Sequence, residues 1–252
     1  MLPTSIAKVK LFDSNPDFTP LPLSTGRKVP MNGPAFGTPR QPVVVERFTG
    51  TVTVDASTRL SYLHAASRQP GDLVHQKDRQ TLLGYAEVLA GQPAPESVLE
   101  IGIYSGGSLA LWKALWPSAI VVGVDVTLEH VDGVAAAYLR SAGVACHVLR
   151  MPNAEAARLG TFDLIIDDGA HGATSVLGSF AVCWPMLNPG GLYVVEDWHL
   201  AAFDPVRIAG TLSQKVIGVD HGEHFCDGPF PTDSAERVVI LRRLVAVFKR
   251  TN

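Results

Sequence analysis

Val98-Leu99-Glu100-Ile101-Gly102-Ile103-Tyr104-Ser105-Gly106-Gly107-Ser108 reads as an apolar strand that breaks into a glycine-rich turn and then opens a helix. Glycine lets the backbone approach a ligand closely and adopt positive φ. Ser108 is placed to cap the following helix, whose first amides would face that ligand. Eighteen residues beyond Gly107, the apolar run 120–124 ends in Asp125, a carboxylate able to accept hydrogen bonds from both hydroxyls of a ribose. Strand, glycine turn and downstream acid together predict a nucleotide-like cofactor.

From residue 97 onward, short β-branched runs alternate with helical ones, which implies a Rossmann-like, doubly wound, mostly parallel sheet of seven strands with helices on both faces. The strands are read at 98–101, 120–124, 144–149, 164–166 and 192–195, with two more at 215–219 and 238–248. The helix after Ser108 buries Leu111, Leu115 and one face of the Trp112/Trp116 pair and stops at Pro117. Upstream, eight of the 18 prolines fall between Pro3 and Pro42, and the stretch shows neither helical nor strand period. The chain therefore divides into a proline-rich arm (1–42), a segment of hairpin and helices capping the core (43–96), and a cofactor-binding catalytic domain (97–252). In the middle segment a hairpin is expected from 43–48 and 51–54 around Thr49-Gly50, followed by helices over about 57–68 and 76–89.

The glycine spacing selects among cofactors. A dinucleotide fingerprint would read GxGxxG, whereas this chain offers Glu100-x-Gly102-x-x-x-Gly106-Gly107, with no evident pyrophosphate loop. An acid beside the first glycine repels phosphate and suits a cation, and S-adenosylmethionine carries an amino group and a sulfonium but no phosphate. A nicotinamide-dependent oxidoreductase is disfavoured on the same ground. The net charge of −3 and pI near 6.2 supply no basic field, so nucleic acid is not an expected partner. Cys146, Cys183 and Cys226 have no CxxC spacing and fit a reducing cytoplasm. No apolar run reaches the roughly 18 residues of a membrane span, and the first thirty residues lack a signal pattern.

Ligands of open α/β sheets bind beyond the carboxyl ends of the strands. Two such ends are rich in polar groups: Asp167-Asp168-Gly169-Ala170-His171 after the 164–166 strand, and Glu196-Asp197-Trp198-His199 after the 192–195 strand. So many carboxylates on one rim repel one another unless protonated or bridged by a cation. Asp168, Glu196 and Asp197 offer hard oxygens that favour Mg²⁺ over zinc. His171, in the same loop as Asp168, is placed to act as a general base. The cluster Asp220-His221-Gly222-Glu223-His224-Phe225-Cys226-Asp227 lacks a second ligand pair at finger-like spacing. It reads as a polar loop whose His221 and His224, with Trp198 and His199, stand at the substrate mouth.

The segments Glu100-Ile101-Gly102, Gly106-Gly107-Ser108-Leu109 with Trp112-Lys113 and Pro117, Gly123-Val124-Asp125, Phe162-Asp163 through His171, and Pro189-Gly190-Gly191 through Asp197 match a known pattern together. Over residues 98–198 the chain resembles the class I S-adenosylmethionine-dependent methyltransferases. More narrowly, it resembles the metal-dependent sugar O-methyltransferases of macrolide biosynthesis, of the mycinamicin and macrocin type, with cephalosporin-hydroxylase-like relatives. The resemblance implies Asp168, Glu196 and Asp197 as metal ligands, His171 as general base with Asp168 beside it, and S-adenosylmethionine as cofactor. Cofactor contacts are expected from Glu100, Gly102, Tyr104, Ser105, Gly107, Ser108, Asp125 and Asp167. Two departures stand out: Arg150-Met151-Pro152-Asn153 lacks the acid expected near the adenine, and the amino-terminal portion is short and proline-rich.

The expected activity is methylation of a sugar hydroxyl of a glycosylated natural product by a cytoplasmic homo-oligomer. Two rivals are N-methylation of an amino sugar, where the carboxylates would bind a cationic acceptor, and a cofactor-binding partner subunit without catalysis.

Overall fold

The computed structural model describes residues 45, 47–199, 205–217 and 235–251. The expected 1–42 arm, His221 and His224 lie outside them. A small sheet comes first: β1 (Thr51–Thr53) pairs antiparallel with β2 (Arg59–Tyr62), which pairs parallel with β3 (Leu73–His75). Helix α1 (Arg79–Val88) follows, capped by Asp78, whose carboxylate accepts from the Thr81 amide at 2.8 Å.

The main sheet has seven strands. They are β4 (Ser97–Ile101), β5 (Ile120–Asp125), β6 (Ala145–Val148), β7 (Phe162–Asp167), β8 (Leu187–Glu196), β9 (Ala235–Ile240) and β10 (Leu244–Lys249). Their spatial order is β6-β5-β4-β7-β8-β10-β9. The first five are parallel, β10 runs antiparallel to β8, and β9 antiparallel to β10. The order reverses between β4 and β7, the switch point at which the carboxyl ends open a crevice.

Both faces of the sheet are covered, so successive strand residues enter different cores. On β10, Leu244, Ala246 and Phe248 join the layer that holds Leu82, Tyr85 and Trp112, while Val245 and Val247 join the layer of Leu177 and Phe180. The first layer is built by α1, α2 (Gly107–Leu115) and α3 (Gly133–Ser141); the second by α4 (Ala173–Cys183) and α5 (Pro205–Ile217). Trp112 and Trp116 stack within the first layer at a centroid distance of 5.8 Å, as expected of core tryptophans. The small sheet docks through Gly107, where a Cβ would lie 1.8 Å from the Val74 carbonyl oxygen. That glycine is thus required by the passage of β3 over the first turn of α2.

Four expected elements differ. Val45, Arg47 and Phe48 are helical rather than the first strand of a hairpin. The expected 57–68 helix is replaced by β2 and turns, because Asp55 accepts from the Ser57 and Thr58 amides and turns the chain into a strand that pairs on both sides. The expected 215–219 strand is helical as far as Ile217. There Ile208 and Leu212, one helical turn apart, are buried against the second layer and carry the helix onward. The run 238–248 is two strands, β9 and β10, joined by a tight turn closed by the Leu241 amide on the Leu244 carbonyl.

His75 closes the small sheet onto the preceding segment. It is buried, its Nε2 donates to the Phe48 carbonyl at 2.9 Å, and its Nδ1 has no hydrogen-bond partner among the described residues. Burial drives its pKa from the ordinary 6.5 down to about 4, the Lys77 charge adding to the effect. The unfolded chain therefore takes up this proton first, so the stabilisation is complete above about pH 6.5 and is lost as pH falls toward 4. Urea unfolding at pH 7.5 and pH 4.5 is expected to show wild type losing about 2 kcal/mol more than His75→Gln over that interval. Equal losses in the two proteins would remove His75 as the cause.

Candidate active site

A cavity of about 730 Å³ lies over the carboxyl ends of the parallel strands, walled on one side by β2 and β3. Its floor begins at the glycine turn. Gly102 has φ +95°, and a Cβ there would stand 2.2 Å from the Asp168 carbonyl oxygen, so only glycine lets the turn after β4 nest against the loop after β7. Tyr104 sits at φ +47°, half exposed, with its ring 5.4 Å from that of His130.

Asp125 stands where a ribose acceptor was expected and lines the cavity, but it also ties the turn to β5. Its Oδ2 accepts from the Ile103 and Tyr104 amides at 2.7 and 3.0 Å, and its Oδ1 from the Val126 amide at 2.6 Å. Ser105 donates to the Val74 carbonyl at 3.3 Å. Ser108 does not cap α2. The cap residue is Gly106 in left-handed conformation, and the Ser108 hydroxyl donates to Glu100 Oε2 at 2.8 Å. Glu100 itself is fully buried beneath the cavity rather than lining it.

The acidic rim is organised by a residue that sequence reasoning missed. Lys77, buried between β3 and α1, places its Nζ 2.6 Å from Asp168 Oδ2, 2.7 Å from Glu196 Oε1 and 3.3 Å from Glu100 Oε1. Burial alone would lower the ammonium pKa, but the three carboxylates outweigh it and hold it well above its ordinary value. Burial pushes Glu100 and Glu196 upward in turn, against the pull of Lys77. The Tyr85 hydroxyl, from α1, donates to the same Glu196 Oε1 at 2.6 Å.

The expected metal ligands fall into two groups that share Asp168. Within each group the ligand atoms lie within 4.8 Å of one another: Asp168, His171 and Asp197, which are half-buried, and Glu100, Asp168 and Glu196, which hold Lys77. Glu196 ends β8 and turns to Tyr85. Asp197, the next residue, leaves the strand at φ +51°, and its Oδ1 meets Arg243 Nη1 at 3.3 Å. His171, at φ +54°, brings Nε2 to 3.8 Å from Asp168 Oδ1. Asp168 and Asp197 bring hard carboxylate oxygens together on an open rim, which fits a divalent cation of the Mg²⁺ type, while the His171 imidazole beside them is a borderline donor.

Asp167 is buried at the end of β7, where the Tyr193 hydroxyl donates to Oδ2 at 2.9 Å. Burial raises its pKa to about 7 even though the tyrosine opposes the shift. Of the expected mouth residues, Trp198 donates its indole N–H to the Leu241 carbonyl and packs on the second core layer, off the cavity lining. His199 Nε2 accepts from Arg243 at 3.2 Å. Arg243 also donates to Asp78 at 2.8 Å, so it clamps the start of α1 to the end of β8. The available signal for Lys77 and Asp78 is the Asp78 cap, which a helix read from residue 76 passes over.

Residues 99–198 match a family model described as a methyltransferase domain. Among curated proteins, the chain is 34% identical over 145 residues to mycinamicin VI 2''-O-methyltransferase of Micromonospora griseorubida, covering 50% of this chain and 36% of that protein. It is 32% identical over 166 residues to 8-demethyl-8-alpha-L-rhamnosyl tetracenomycin-C 2'-O-methyltransferase of Streptomyces olivaceus, covering 57% and 42%. The match therefore spans less than half the length of these relatives. Among solved structures, the MycE methyltransferase of the mycinamycin biosynthetic pathway, in complex with Mg and SAH, superposes with a TM-score of 0.52 at 25% identity, over 68% of this chain and 49% of that one. The segment that matches the methyltransferase-domain model, residues 99–198, lies in a seven-stranded sheet of the class I methyltransferase fold.

Proposed function

We propose that this chain transfers a methyl group from S-adenosylmethionine to a sugar hydroxyl of a glycosylated natural product, with a divalent cation at the acidic rim. The observation that carries the reading is one cavity joining the Gly102 turn and Asp125 to the Asp168, His171 and Asp197 side chains. The sugar O-methyltransferases to which the chain is similar, and the complex of one neighbour with Mg and SAH, support it. The acceptor is a small glycoside, and no described helix is long and apolar enough to cross a membrane.

When bound, the cofactor supplies an electrophilic methyl group on a sulfonium, and the cation supplies Lewis acidity toward the acceptor oxygen. Gly102, Tyr104, Ser105, Gly107, Asp125 and Asp167 line the cofactor end, with Glu100 and Ser108 bracing the turn. Asp168 and Asp197 would hold the cation, with Glu196, on the same rim, as the third ligand. His171 accepts the acceptor hydroxyl proton at Nε2, with Asp168 Oδ1 beside it to stabilise the imidazolium that forms. Trp198 and His199 would brace the acceptor end through the 241–243 turn. Positioning supplies much of the rate, because nucleophile and methyl must meet in line.

Incubation with S-adenosylmethionine and a panel of macrolide and anthracycline-type glycosides, followed by mass spectrometry, is expected to yield a product heavier by one methylene. Chelation is expected to abolish turnover, and His171→Ala to lower kcat by about 10²- to 10⁴-fold with cofactor affinity unchanged. Turnover persisting in chelator would favour the amino-sugar N-methylation reading. Calorimetry with S-adenosylhomocysteine reads the turn separately. Gly102→Ala strains φ and collides with the Asp168 carbonyl, and a loss of at least about tenfold in affinity is expected. Unchanged binding would place the cofactor elsewhere.

A further inference from the structure

Lys77 comes from outside the matched methyltransferase segment, yet its Nζ contacts one carboxylate from the end of each of three adjacent strands, β4, β7 and β8. Glu100 and Glu196 are as buried as the lysine, and the Lys77 ammonium 3.3 Å away is the charge that faces Glu100 Oε1 among the described residues. Three carboxylates beneath a cavity would expel one another or take up protons without a compensating cation. The ammonium also selects among oxygens. It takes Asp168 Oδ2 and joins Tyr85 on Glu196 Oε1, so that Asp168 faces His171 with its other oxygen, Oδ1.

We propose that Lys77 is a positioning residue, a resident counter-cation that sets the acidic rim before any divalent ion arrives. This rests on the proposed metal-assisted reading of the same rim. Two consequences follow from charge alone. In the ion-free protein the ammonium already offsets part of the charge of its three carboxylates, so melting depends less on divalent ions than it would without Lys77. The ammonium also repels an incoming divalent ion held by Asp168, so the rim binds that ion less tightly than its carboxylates alone would. The small sheet and α1 thereby tune a site whose ligands all belong to the main sheet.

The test uses Mn²⁺ as the probe, titrated into the full chain and followed by electron paramagnetic resonance, with thermal melting in Mn²⁺ and in chelator. Wild type is expected to gain less in melting temperature from Mn²⁺ than Lys77→Met gains. Lys77→Met is expected to melt lower in chelator, to regain much of the loss in Mn²⁺, and to bind Mn²⁺ at least about tenfold more tightly. Should Lys77→Met fail to fold, Lys77→Met/Glu100→Gln removes one charge of each sign and is expected to recover a melting temperature near that of wild type. Lys77→Met with wild-type melting and wild-type Mn²⁺ affinity would overturn the proposal, as would a double variant no more stable than the single one. Wild type binding no Mn²⁺ would instead overturn the metal-assisted reading. In that case the low melting of Lys77→Met, and its recovery in the double variant, would still support Lys77 as the counter-cation.

Discussion

The contact of one buried ammonium with three carboxylates is the constraint on which the arrangement of this molecule turns. The carboxyl ends of parallel strands gather acids at one rim, and burial makes each of them costly as an anion. Lys77, itself buried, lies within 3.3 Å of Glu100, Asp168 and Glu196 and offsets part of that cost. It can do so only if β3 passes directly over the start of α2, which is why position 107 admits no side chain. The small amino-terminal sheet, which could be taken for decoration, is therefore coupled electrostatically to the acidic rim.

Backbone strain is concentrated at the same rim. Tyr104, His171 and Asp197 are the non-glycine residues described with positive φ, and they stand at the ends of β4, β7 and β8. Each lies where the chain must leave a strand and present a side chain into the cavity instead of continuing the alternation between the two cores. Left-handed backbone at such residues costs of order 1 kcal/mol or more and persists only where the surroundings fix it. Here those surroundings are the Gly102 turn nested on the Asp168 carbonyl and the hold of Arg243 on Asp197.

Much of this was legible in the sequence. The parallel strands, the glycine turn, Asp125 and the two acidic strand ends were readable because β-branched runs and turn residues report local physics directly. The segment 57–68 was not, because its strand is dictated by pairing with partners six to thirteen residues away and by the Asp55 turn. The run 215–219 was misjudged for a related reason: Val and Ile suggest a strand, while burial of Ile208 and Leu212 one turn apart decides for a helix. Lys77 and Arg243 were invisible as site residues. Nothing local distinguishes a buried lysine from a solvated one, and their partners lie 23 to 165 positions away, set only by how the layers dock.

The two cations divide the labour in a way the carboxylates alone could not. Lys77 sits on the core side and takes the inner oxygens. Arg243 sits on the solvent side, where its planar fork reaches Asp197 and His199 with one nitrogen and Asp78 with the other. Asp78 is also the cap of α1, the helix that follows Lys77 and carries Tyr85, so the charge clamp at the outer rim and the hydrogen bonds at the inner rim share one helix. A shift of α1 would therefore disturb both at once. Glu196 and Asp197, neighbours in sequence, are held by different cations, and Asp168 is the one carboxylate common to the inner and outer sets. Its two oxygens, one on Lys77 and one facing His171, make it the point through which the charge of the buried cluster reaches the His171 imidazole.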